Sequence, residues 1–89
     1  MGGSDLGKSS RQREFGDRVR DSRLNLGLSQ EALALDAGIN RSYIASLEAG
    51  QRNPSLEMMA RVAIALQIDL ADLVAGLQEI DGRRRRTRR

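Results

Sequence analysis

Residues 28–50 read LSQEALALDAGINRSYIASLEAG, and this stretch decides the fold. Ser29 stands where an N-cap belongs, its hydroxyl placed to accept from an orphan amide, with Glu31 near the positive end of the helix it opens. That helix runs to about Ala37, and Gly38 stops it by supplying the positive φ that a sharp interhelical turn needs. Asn40 caps a second helix, Arg41 to Ala49, which Gly50 ends. The turn between them is only Gly38-Ile39-Asn40. Ala34 has to be small, because the two helices cross closely there. Ile44 and Leu47 anchor the second helix to a core, which leaves Arg41, Ser42, Ala45 and Ser46 on its outer face.

Outward from this pair the chain continues as helices. Before it, Phe15, Val19, Ser22 and Leu26 share one face of a predicted helix from about Arg11 to Leu26, with Arg18, Arg20 and Asp21 outside as solvated charges. Gly27 is placed to end it. After it, Gln51-Arg52-Asn53-Pro54 forms a loop and Ser55 caps a fourth helix. Leu56, Met59, Ala60, Ala63 and Leu66 form the apolar stripe of that helix. Asp69 caps a fifth through Leu77, with Asp72 three residues on. Leu33, Ile44, Leu47, Met59 and Leu66 are the expected core.

Composition supports helices around a small aliphatic core. Phe15 and Tyr43 are the only aromatic residues and Pro54 the single proline. With 89 residues the chain has room for one domain. Cysteine and histidine are absent, so disulfides, thiol chemistry, zinc sites of the usual ligands and imidazole catalysis are excluded. The acids fall at helix starts, where the macrodipole accounts for them, and no phosphate loop or nucleophile elbow accompanies them. An enzyme is not expected, nor a cofactor, a metal or a small-molecule ligand. No apolar run approaches the ~20 residues of a membrane span, and a cytoplasmic protein is expected.

The residues quoted above, continued through Gln51-Arg52-Asn53-Pro54-Ser55, resemble the Cro/CI-type (XRE) helix-turn-helix family over roughly residues 13–77. The resemblance implies an all-α, compact, five-helix lambda-repressor-like domain at 11–80; the Gly- and Ser-rich polar composition of 1–10 gives a flexible, disordered N-terminus, and the like-charge run gives a basic arginine-rich tail at 81–89. It implies a homodimeric transcription regulator, a repressor, that reads a palindromic operator in double-stranded DNA through the helix 41–49. A helix with a small polar outer face can enter a major groove ~12 Å wide. Position by position, Asn40, Arg41, Ser42 and Ser46 match sites facing base edges. The planar fork of Arg41 suits guanine O6 and N7 best. Gln30 matches a site that grips a phosphate and braces the recognition helix, and Arg52 matches a phosphate contact. Ser29 and Asn53 are expected at the DNA backbone too. Tyr43, large beside the groove-facing positions, is expected at sugar-phosphate. Arg23 and Glu48 match a pair that bridges the first helix to the end of the third. Ser22 departs from the usual leucine of the family, implying a looser contact under the first helix.

No separate oligomerisation domain is expected within 89 residues, so the dimer surface is expected on the fifth helix, at Leu70, Leu73, Val74 and Leu77, with Ile80 beyond. The alternative for these leucines is that they close the monomer core. Charge leaves a second reading of function open. Residues 1–82 sum to −3 and residues 83–89 add six arginines. A mildly acidic fold suits a module or antitoxin-type protein that binds another protein. The tail reads as a DNA arm, a degradation or partner signal, or a solubility tail, and the arm is favoured.

Overall fold

A computed structural model describes residues 10–80, and the description below is confined to them. Within that span the chain forms five α-helices and a closing 3-10 turn, with no strand: α1 Ser10–Asn25, α2 Gln30–Ala37, α3 Arg41–Glu48, α4 Leu56–Leu66, α5 Leu70–Val74 and the turn Leu77–Glu79. The tail at 81–89 lies outside the described residues, as does the expected N-terminal segment except for Ser10, which opens α1.

Three of the caps form as their residue types dictate. Ser29 Oγ accepts from the amide of Ala32 at 3.0 Å, Asn40 Oδ1 from that of Tyr43 at 2.8 Å and Ser55 Oγ from that of Met58 at 3.1 Å. Gly38, at φ +70°, ends α2 in the left-handed region, and its amide with that of Ile39 takes up the last carbonyls of the helix. Asp69 makes no side-chain cap bond, contrary to the expectation for the fifth helix. That helix is also shorter than predicted. It stops at Val74, Ala75 is extended, and Gly76 at φ +75° turns the chain into the 3-10 segment that carries Leu77.

The core gathers Phe15, Val19, Leu33, Ala34, Ile44, Leu47, Val62, Ala63, Leu66, Leu73 and Leu77 from every helix and the closing turn. Leu33, Ile44, Leu47 and Leu66 are buried as expected, and Met59 packs against them half-buried. Two predicted faces are rotated. On α1 the inward residues are Phe15, Gly16, Val19 and Arg23. Leu26 falls beyond the helix end and is exposed, because Gly27 turns the chain away one residue after it. On α4 the inward residues are Val62, Ala63 and Leu66, and Leu56, placed at the first turn, is 69% exposed.

Gly16 sets how closely α1 approaches the recognition helix. A Cβ at this position would meet the carbonyl oxygens of Leu47 and Glu48, the latter at 2.8 Å. Arginines then tie α1 to the end of the domain. Arg11 Nε donates to the Leu77 carbonyl at 2.9 Å, and Arg18 Nη1 donates to those of Leu73 and Ala75 at 3.2 and 2.8 Å. Arg18 also bonds Glu14 at 2.9 Å, so it is a structural tie and not the solvated charge expected.

Within one chain, burial favours the monomer-core alternative for two of the leucines expected on the fifth helix. Leu73 is 2% and Leu77 8% exposed within one chain, so both belong to the monomer core. Leu70, Val74 and Ile80 are half-buried and remain at the surface. Among the described residues no helix is long and apolar enough to cross a membrane, and no cluster of acidic side chains could hold a metal.

Candidate nucleic-acid interface

The recognition helix, α3, is fixed at its C-terminal end by one guanidinium. Glu48 closes α3, where a carboxylate faces the negative end of the helix dipole and needs a cation. Arg23, in the last turn of α1, supplies it. Arg23 Nε donates to Glu48 Oε2 at 2.7 Å and Nη2 to Oε1 at 2.9 Å, a bidentate bridge with both residues buried. Nη1 donates to the Leu28 carbonyl at 2.8 Å and so pins the loop that enters α2. The hydrogen bond to Glu48 raises the pKa of Arg23, and the carboxylate charge adds to this against desolvation, so the guanidinium stays charged throughout the physiological range. Gln30 completes the brace, its Nε2 donating to Glu48 Oε1 at 3.1 Å.

The N-terminal end of α3 is fixed by Asn40. Its Oδ1 accepts both the Tyr43 amide and the Ser42 hydroxyl, the latter at 2.9 Å, which leaves its NH2 group outside these bonds. Arg41, Ser42 and Asn40 are all exposed here. Arg41 makes no hydrogen bond or ion pair among the described residues. One turn on, Ser46 Oγ lies 3.1 Å from the carbonyls of Ser42 and Tyr43, to which it can donate.

Arg52 folds back from the following loop onto this face. Its Nε donates to Ser46 Oγ at 3.0 Å, and its guanidinium lies 5.1 Å from the centroid of the Tyr43 ring, within cation–π range. The structure therefore brings together Tyr43, Ser46 and Arg52, expected at bases and backbone separately, as one contiguous group. Asn40, Arg41 and Ser42 form a second group one turn away. Ser29 and Asn53 are exposed at the mouth of α2 and in the loop, and Ser29 is engaged in its cap.

Two residues that shape this face carry no signal in the sequence pattern. A glycine inside a helical stretch, such as Gly16, does not announce what approaches it. Arg61 lies on α4, where its Nη1 donates to the Gly38 carbonyl at 3.3 Å and its Nε bonds Glu57 at 3.0 Å. Only the folded chain shows that it borders the interhelical turn.

Comparison with known proteins agrees with this geometry. A family profile described as "Helix-turn-helix" matches residues 19–73. Control protein C.BamHI of Bacillus amyloliquefaciens is 39% identical over 61 residues, covering 67% of this chain and 75% of that protein. The immunity repressor protein of Bacillus phage phi105 is 39% identical over 59 residues, 66% of this chain and 41% of the repressor. Among solved structures, the restriction-modification controller protein C.AhdI of Aeromonas hydrophila superposes with a TM-score of 0.72 at 43% identity, covering 73% of this chain and 98% of that one. These relatives are regulators and control proteins, not enzymes. The chain belongs to the helix-turn-helix family of DNA-binding transcriptional regulators.

Proposed function

We propose that this protein is a sequence-specific repressor, acting in the cytoplasm, that reads a palindromic operator as a homodimer through α3. The observation that carries the reading is Arg41. It stands unpaired and exposed at the head of a helix held rigidly at both ends, by the Asn40 cap and by the Arg23–Glu48–Gln30 brace. A preorganised helix loses little freedom on entering the groove, and an unengaged guanidinium has no internal bond to break before meeting a guanine. The resemblance to a restriction-modification controller protein supports a regulatory role.

Selection of bound duplexes from a randomised library at about 150 mM salt tests this, since a two-fold symmetric motif would give operator and half-site spacing together. Absence of any recovered duplex would instead favour the protein-binding alternative. Within the selected site, Arg41→Ala is expected to cost about 1–3 kcal/mol and to relax one position of the motif. Arg52→Ala should weaken all sequences about equally. Equal losses on cognate and random DNA for Arg41→Ala would remove its base-reading role.

Dimerisation doubles the length of sequence read. We place its surface on the outer side of α5, at Leu70 and Val74, with Ile80 beside them. Stable pairing needs a total buried area of about 1,200–2,000 Å², so residues around these must join in. Sedimentation at micromolar protein should give a dimer, and Val74→Asp should shift it toward monomer without lowering helicity. A monomer at every concentration would rule out this dimer surface.

A further inference from the structure

Ser46 stands one turn after Ser42 on the outer face of α3, a position from which a side chain could read a base. Its hydrogen bonds point elsewhere. A hydroxyl has one proton to donate and two lone pairs with which to accept. The Ser46 proton is taken by the backbone of its own helix, with the Ser42 and Tyr43 carbonyls both 3.1 Å from Oγ. One lone pair accepts from Arg52 Nε at 3.0 Å. A single lone pair is left for a base edge, too little to tell one base pair from the others.

The bond does more for Arg52 than for Ser46. The loop that carries Arg52 leaves α3 folded back over this turn. Gly50 is left-handed at φ +77°, and the Gln51 amide donates to the Ser46 carbonyl at 2.9 Å. The Arg52 guanidinium then lies 5.1 Å from the centroid of the Tyr43 ring, which is itself half-buried against the core. Stack and hydrogen bond together fix a long side chain that would otherwise lose much of its freedom on binding. Nη1 and Nη2 make no hydrogen bond among the described residues, and they form a fork suited to a phosphate. The first residues of a recognition helix meet the base edges, whereas Arg52 is rooted beyond the last residue of α3.

We propose that Ser46 is a positioning residue and not a base reader: with the Tyr43 ring it holds the Arg52 guanidinium ready for one backbone phosphate. This rests on the DNA-binding role given to α3 above and assigns Ser46 a different part in it.

The test is a double-mutant cycle of Ser46→Ala and Arg52→Ala, titrated on the selected site and on a random duplex across a salt series. Arg52→Ala should weaken binding about tenfold on both and lower the salt slope by ~0.9, as one phosphate contact requires. Ser46→Ala should weaken binding about 2–10-fold, the cost of ordering a loosened side chain. Its salt slope should match the parent's, because the cation remains. Added to Arg52→Ala, it should change nothing further. Alanine is the better helix former, so affinity should fall with no drop in melting temperature, which separates positioning from folding. In the free protein, the Arg52 Nε proton should exchange with water faster in Ser46→Ala than in the parent. Ser46→Ala that relaxes one position of the selected motif, or that costs as much beside Arg52→Ala as alone, overturns the proposal. So does full affinity in Arg52→Lys, which keeps the charge without the planar fork that Ser46 and Tyr43 hold. If the parent selects no motif yet the cycle is coupled on the random duplex, Ser46 keeps its role and only base reading by α3 falls.

Discussion

Glu48→Ala is expected to leave the protein largely unfolded at 25 °C. The substitution removes the carboxylate that holds three donors, two from Arg23 and one from Gln30, and strands a charged guanidinium in the core boundary. Breaking a buried pair from one side costs about 3–5 kcal/mol, much of it the desolvation of the partner left behind. Domains of this size have little more than that in total. Thermal unfolding followed by circular dichroism should show a loss of most of the cooperative transition. The double variant Arg23→Met with Glu48→Met should recover part of it, since no charge is then stranded. A Glu48→Ala protein that melts within a few degrees of the parent would show that the bridge is peripheral to stability. It would also leave the bracing of α3 to packing by Ile44 and Leu47 alone.

Gly16→Val should cost about 3 kcal/mol, at the upper end of overpacking effects. Two effects oppose here. Glycine inside a helix is less favourable than alanine by about 1 kcal/mol, so on propensity alone a side chain at this position would stabilise α1. The space decides otherwise. The first carbon added meets the backbone oxygens of Leu47 and Glu48, and backbone at the end of a braced helix cannot swing aside as a flexible side chain would. Gly16→Ala should therefore also lower the melting temperature, and a rise would show that α1 and α3 can separate at little cost. Both variants should weaken operator binding beyond their effect on stability, because α3 is positioned by what Gly16 allows to approach it.

The caps make much of the fold readable. Ser29, Asn40, Ser55 and Gly38 act within three or four residues of themselves, so their local chemistry is written in the order of the chain. The same is true of Ile44 and Leu47, whose spacing alone turns them inward. Faces that depend on which partner helix arrives are not readable in this way. Leu56 and Leu26 fit apolar stripes on spacing, yet each lies at a helix end where the neighbouring helix no longer covers it. The break after Val74 escapes the pattern, because the apolar spacing runs on through Leu77 and does not register the left-handed turn at Gly76. Arg18 reads as solvent-facing charge because the acceptors it uses are carbonyls 55 and 57 positions away, which no side-chain pattern announces. Gln67 adopts φ +62° to end α4, a role that residue type usually signals with glycine. Within the candidate site, the Arg23–Glu48 pair follows from the family resemblance, whereas the stacking of Arg52 on Tyr43 requires the fold.

The bond from Arg11 to the Leu77 carbonyl has a consequence for synthesis. It joins the first turn of α1 to the last turn of the domain, positions 66 apart. On the ribosome, α1 is made before every helix it packs against and is therefore among the last of the five to find its place. α2 and α3 have each other close by in the chain, but Phe15 and Val19 lack the wall that Leu73 and Leu77 contribute until the end of the domain has emerged. Closing so wide a span costs chain entropy that only the completed core offsets. A domain assembled in this order completes its core in one late step, and a chain ending before Leu73 leaves Phe15 and Val19 without part of their wall.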